Sequence, residues 1–97
     1  MPVFKLRLHQ TYYRQGFFNV VVDFDRYVRK TEGSIRLRLG RDGQEIAAKV
    51  NRRVNRNGTA RILGGIPLRD WFQRHFNPMD SVEVDLASQD VIVLAKS

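Results

Sequence analysis

Apolar and polar residues alternate along several short stretches of this chain, the mark of half-buried β-strands. Phe4, Leu6 and Leu8 face one way while Lys5 and Arg7 face the other. Ile35, Leu37 and Leu39 oppose Arg36 and Arg38; Ile46, Ala48 and Val50 share one face of Glu45–Arg53; and Val82, Val84 and Leu86 share one face after Ser81. Phe17–Val22 lacks the alternation. It is apolar except for Asn19 and rich in β-branched residues, so it reads as a fully buried strand. Gly40-Arg41-Asp42-Gly43 signals a hairpin, and Asn55-Arg56-Asn57-Gly58 a second turn from which Thr59–Leu63 returns. Val91–Ala95 closes the series.

Two stretches have helical spacing instead. Phe24, Tyr27 and Val28 share one face behind a capping Asp23, and Gly33 suits the end of that element. Leu68, Trp71, Phe72 and Phe76 form a stripe that Pro67 opens and Asn77-Pro78 ends. The segment His9–Gly16 reads as a polar, aromatic loop. The expected order is β-β-α-β-β-β-α-β-β, a mainly β (α+β) fold. Short strands linked mostly by hairpins suggest a small closed or partly closed barrel with helices plugging its ends.

Composition narrows the picture. The chain of 97 residues suits one domain over 1–97, and a 42% hydrophobic content argues for a packed core rather than disorder. The absence of cysteine excludes disulfide staples and thiolate metal sites. No apolar run reaches the length of a signal peptide's core or a membrane span, so a cytoplasmic protein without membrane contact is expected.

The net charge of +7 matters for its distribution. No acid precedes Asp23, and none lies between Glu45 and Asp70. Arginine outnumbers lysine heavily, and its planar fork matches phosphate and guanine edges. Charge so segregated favours a polyanionic partner.

Two segments carry the candidate chemistry. The first contains Thr11, Tyr12, Tyr13, Arg14 and Gln15, mixing hydroxyl, aromatic, cationic and amide groups suited to phosphates and base edges. It reads equally as a plain loop whose tyrosines tuck under the barrel. The second runs from Lys49 through Asn51, Arg52, Arg53, Asn55, Arg56 and Asn57 to Thr59 and Arg61. A merely solvated hairpin mixes both signs of charge, and this one carries no acid, which favours phosphate binding and base reading. Arg61 has a structural reading beside the functional one. Arg36, Arg38, Lys5 and Arg7 read as solvated strand faces, and Glu83 and Asp85 as solvated carboxylates. His9 and His75 have no partner at metal-ligand spacing, and nucleophile elbows and phosphate-cradling loops are missing. Neither a cofactor nor catalysis by this chain alone is expected.

Phe17-Phe18-Asn19-Val20-Val21-Val22 followed by Asp23 to Lys30, the run Asn51 to Gly65, and Leu68-Arg69-Asp70-Trp71-Phe72 followed by Met79 to Val84 resemble successive blocks of the DNA-binding pseudobarrel superfamily. That group includes the plant B-three transcription-factor domains and the N-terminal effector-binding domain of the EcoRII restriction endonuclease. The resemblance covers nearly the whole chain at the level of layout and implies a seven-stranded open pseudobarrel with two short helices. Met79 stands where the family often has glycine, and the plant-type tryptophans of the middle strands are missing, so the restriction-enzyme branch fits better. The resemblance implies two arms closing like a wrench on the major groove. Residues 11–15 would form the N-terminal jaw and residues 51–57 the C-terminal one. It further implies double-stranded DNA as partner, a restriction-modification setting, and a nuclease domain or subunit nearby. Arg61-Ile62 to Leu94 also resembles swapped-hairpin transition-state regulators and antitoxins, which are usually shorter and dimeric. The other readings are a single-stranded DNA or RNA-binding barrel and a protein-interaction module.

Overall fold

The computed structural model describes residues 2–97. The strands are β1 Val3–Arg7, β2 Phe17–Asn19, β3 Gly33–Leu39, β4 Gln44–Asn51, β5 Arg61–Leu63, β6 Ser81–Ser88 and β7 Val91–Lys96. Two α-helices, α1 Gln10–Gln15 and α2 Gly65–His75, and a 3-10 helix, Val22–Tyr27, complete the fold. The strands form one curled, open half-barrel in the order β1-β6-β7-β3-β4-β5-β2. β3 and β7 run parallel and every other neighbouring pair antiparallel. This is the mainly β, seven-stranded architecture that the alternating pattern predicts.

The pattern predicts the core for the same reason that it predicts the strands. The residues of one parity point inward, and Leu37, Ile62, Val82, Val84 and Leu94 are fully buried. Helix α2 places Leu68 and Phe72 into this core, with Phe76 just beyond its end. From the other side Phe24 of the 3-10 helix packs on Phe4, with ring centroids 5.3 Å apart.

Several elements differ from expectation. The segment read as the loop His9–Gly16 is helix α1. Its tyrosines, Tyr12 and Tyr13, are half-buried against the core, so the tucked reading holds for them. Gly16 ends the helix at φ 76°, and its N–H donates to the Tyr12 carbonyl. The buried strand expected over Phe17–Val22 stops at Asn19, leaving Val22 64% exposed. The following helix is of the 3-10 type and starts at Val22, so Asp23 does not cap it. Helix α2 begins at Gly65, two residues ahead of Pro67. Strand β5 starts at Arg61 rather than Thr59, and β4 ends at Asn51 rather than Arg53. Asp85, read as solvated, is only 8% exposed and lies beside Arg41, which reaches it and Glu83 from the β3–β4 turn.

Gly16 also fixes how the two α-helices meet. Its carbonyl accepts the N–H groups of Gly64 and Gly65 at 3.0 and 3.1 Å. A side chain there would bring a Cβ within 2.2 Å of the Gly65 carbonyl oxygen. Only glycine permits both the left-handed backbone and that approach.

Candidate nucleic-acid interface

Strands β2, β5 and β4 build the ground on which the candidate residues stand. Their registers align Phe17 with Leu63 and Lys49 in one row, and Asn19 with Arg61 and Asn51 in the next. The intervening Phe18, Ile62 and Val50 are buried in the core. Alternation therefore sends both rows to the outer face. The 52–60 segment closes the β4–β5 hairpin beyond Asn51 and Arg61.

Because β2 and β5 are antiparallel, the segments that precede them lie at opposite ends of their pairing. Helix α1, with Thr11, Arg14 and Gln15 exposed, sits at the Phe17 end and packs on α2, where the Tyr13 carbonyl accepts from Gln73 Nε2 at 3.2 Å. The hairpin tip sits at the Asn19 end. The two arms thus stand at opposite ends of this short ladder, with α1 anchored on α2.

A chain of contacts runs along that strip. Tyr12 packs edge-on against Phe17 at 5.2 Å, and the Arg61 guanidinium lies 4.4 Å over the Phe17 ring. Arg61 Nε donates to Asn19 Oδ1 at 2.9 Å, and Asn55 Nδ2 donates to the same oxygen at 3.1 Å and to the Thr59 carbonyl at 3.1 Å. Arg61 is thereby held in a fixed pose by its Nε and the ring beneath it.

The hairpin tip divides into structural and free residues. Arg52, with its side chain only 16% exposed, donates from Nη1 to both oxygens of Asp25 at 2.9 and 2.7 Å and to the Gly58 carbonyl. Its other nitrogens reach the carbonyls of Val28 and Arg29. Asp25 also accepts the Ala60 N–H at 2.7 Å, so it pins the 3-10 helix to the tip. Asn51 Oδ1 accepts the N–H groups of Arg53 and Val54, and Asn57 Oδ1 accepts both the N–H and the hydroxyl of a buried Thr59. These side chains shape the turn. Arg53 is 87% exposed, although its Nε lies 3.3 Å from Glu32.

The tip that is free of acids in sequence is therefore flanked in space by Asp25 and Glu32, which come from elsewhere in the chain. Neither was singled out from the sequence, and their spacing of 27 and 20 residues from Arg52 gives no local signal. In the sequence Asn19 is only the one polar residue of an apolar strand; in the structure it is the junction between Arg61 and the tip. Among the described residues, Arg14, Lys49, Arg56 and Arg61 have no carboxylate at ion-pair distance. Arg38, by contrast, donates to Glu45 at 2.7 Å, and this bond holds the Glu45 carboxyl below the usual carboxylate range.

Comparison with protein-family models, curated proteins and solved structures yields no match. The interface therefore stands on this chain's own residues. Two of its traits bear on ligand class. Every Phe, Tyr and Trp side chain among the described residues is buried or half-buried, so none of them offers a fully exposed stacking platform. No three His, Cys, Asp or Glu side chains converge as a metal site requires, again among the described residues. Among the described residues no helix is long and apolar enough to cross a membrane.

Proposed function

We propose that this protein is a double-stranded DNA-recognition module that binds through the outer face of β2, β5 and β4 and the tip of the β4–β5 hairpin. One observation carries the reading. Lys49, Arg61 and Arg56 follow one another along this strip without a carboxylate partner, interleaved with Asn19, Asn51, Asn55 and Asn57. Cations of this kind bind phosphates, and amides and arginines at a tip read base edges. A two-stranded ribbon fits the major groove, so the hairpin suffices without a second jaw. Arg14 on α1, at the far end, adds a phosphate contact.

That no Phe, Tyr or Trp among the described residues is fully exposed favours a duplex over a single strand, whose binders rely on stacking. Any cutting of the DNA would fall to a partner nuclease domain or subunit, in keeping with the resemblance to restriction-enzyme recognition domains.

Fluorescence anisotropy with random-sequence duplex at low salt tests the reading. Arg56→Ala and Arg61→Ala are expected to weaken binding by about tenfold each, Arg14→Ala by less, and Arg38→Ala hardly at all, in line with the cost of a charge-assisted contact. Equal losses at all four positions, tighter binding of single strands, or no binding at low salt would overturn it.

A further inference from the structure

Of the strip's cations Arg14, Lys49, Arg56 and Arg61, which have no carboxylate at ion-pair distance, only Arg61 is also held in place among the described residues. Asn19 Oδ1 accepts from its Nε at 2.9 Å, and its guanidinium carbon lies 4.4 Å over the Phe17 ring. Both supports are themselves fixed. Asn19 stands opposite Arg61 in the β2–β5 register, and its oxygen also accepts from Asn55 Nδ2. Phe17 is buried and packs edge-on against Tyr12.

This hold takes one edge and one face of the guanidinium. It leaves Nη1 and Nη2 without a partner among the described residues. Arg52 is the contrast, since Asp25 and backbone carbonyls engage its Nε, Nη1 and Nη2 alike. A carboxylate in place of Asn19 would compete for the fork and offset its charge; a neutral amide oxygen leaves both to a ligand.

The two free nitrogens share one carbon and one plane, so covalent geometry sets their relation. They are two like donors. Guanine carries two acceptors, O6 and N7, side by side on its major-groove edge. Adenine carries an acceptor beside a donor, cytosine a donor, and thymine an acceptor beside a methyl group. Because the donors are alike their order is immaterial, and guanine is the base that matches them. A phosphate also accepts from such a fork, but mobile cations such as Lys49 and Arg56 suffice for it. A base edge is met in one plane, and a side chain fixed on folding loses less freedom in meeting it.

We infer that Arg61 reads a guanine in the major groove, with Asn19 and Phe17 as its positioning residues. The inference rests on the duplex-binding reading given above and adds to it the base that is read.

The test selects a preferred duplex for the wild-type protein from a random-sequence pool. That duplex is then made with each guanine in turn replaced by 7-deazaguanine, which pairs normally and lacks N7. In anisotropy titrations one replacement is expected to weaken wild-type binding about tenfold and to leave Arg61→Ala binding unchanged. Asn19→Ala should bring the effect of that replacement close to onefold while keeping the wild-type salt dependence, which a general loss of structure would not do. Duplex binding that selects no guanine overturns this inference and leaves the DNA-binding proposal standing. So does an Arg61→Ala variant that loses affinity equally for guanine and 7-deazaguanine duplexes with a shallower salt dependence, the mark of a phosphate contact. A full guanine effect in Asn19→Ala overturns the positioning role. Failure to bind any duplex overturns both proposals.

Discussion

Arg52 shows how far a residue type stands from a residue's role. In sequence it is one arginine in a basic run. In the structure it has the largest set of side-chain hydrogen bonds in the hairpin, and its charge is met by Asp25. Removing it leaves the partly buried Asp25 carboxylate with only the Ala60 N–H and strips several carbonyls of a donor, which costs more than the pair itself contributes. Arg52→Ala is expected to lower stability by about 2–3 kcal/mol, the upper range for buried pairs being reduced here because both side chains retain some solvent contact. Urea unfolding measures this. Arg52→Lys should fail to restore it, because one ammonium cannot serve Asp25 and three backbone carbonyls in the plane of a guanidinium. DNA affinity per folded molecule should change little. A variant of unaltered stability and reduced affinity would instead make Arg52 a direct contact. The same division explains what was legible at this scale. The residue types of the candidate site were visible in the chain. Which of them were already engaged was not, because Asp25 and Glu32 approach through tertiary folding alone.

Among the elements, the strands were the most legible and α1 the least. A period of two is written over each long strand, and Leu37, Val84 and their neighbours took the inward positions that it assigns. A six-residue helix shows too few turns for a period to appear, and adjacent tyrosines do not mark a face. The usable signal was Gly16, a glycine placed directly after a run free of helix breakers. Likewise Asn19 marked where the buried strand would end, since its amide needed partners that the core does not provide. The packing of α1 on α2 depends on Gly16, where backbone conformation and space agree. Gly16→Ala demands a left-handed alanine and moves the Gly65 and Arg69 backbone away from the new Cβ. A loss of about 2 kcal/mol or more is expected, read as a lower thermal midpoint. Faster amide exchange in α1 should accompany it. A midpoint unchanged within a degree would show that the two helices are not held together through this residue.

For the whole molecule the question is how much of the positive charge a duplex meets. The sequence gives +7 and places no acid in either arm. Folding pairs Arg29, Arg38, Arg41, Arg52, Arg53 and Arg69 with carboxylates, and it sets α1 and the hairpin tip at opposite ends of the β2–β5 ladder. The proposed phosphate strip runs from Arg14 past Lys49 and Arg61 to Arg56, four of the cations that have no carboxylate at ion-pair distance among the described residues. Each cation that meets a phosphate releases counterions, and the salt dependence of binding counts such contacts. With these side chains engaged, the logarithm of the association constant should fall against the logarithm of salt concentration with a slope of about −3 to −4. Arg56→Ala should make that slope shallower by about one, whereas Arg38→Ala should leave it alone. A wild-type slope near −8 would mean that cations outside this strip also meet phosphates. A slope near zero would remove the phosphates from the interface. The measurement therefore separates the charge that the chain carries from the charge that its fold presents.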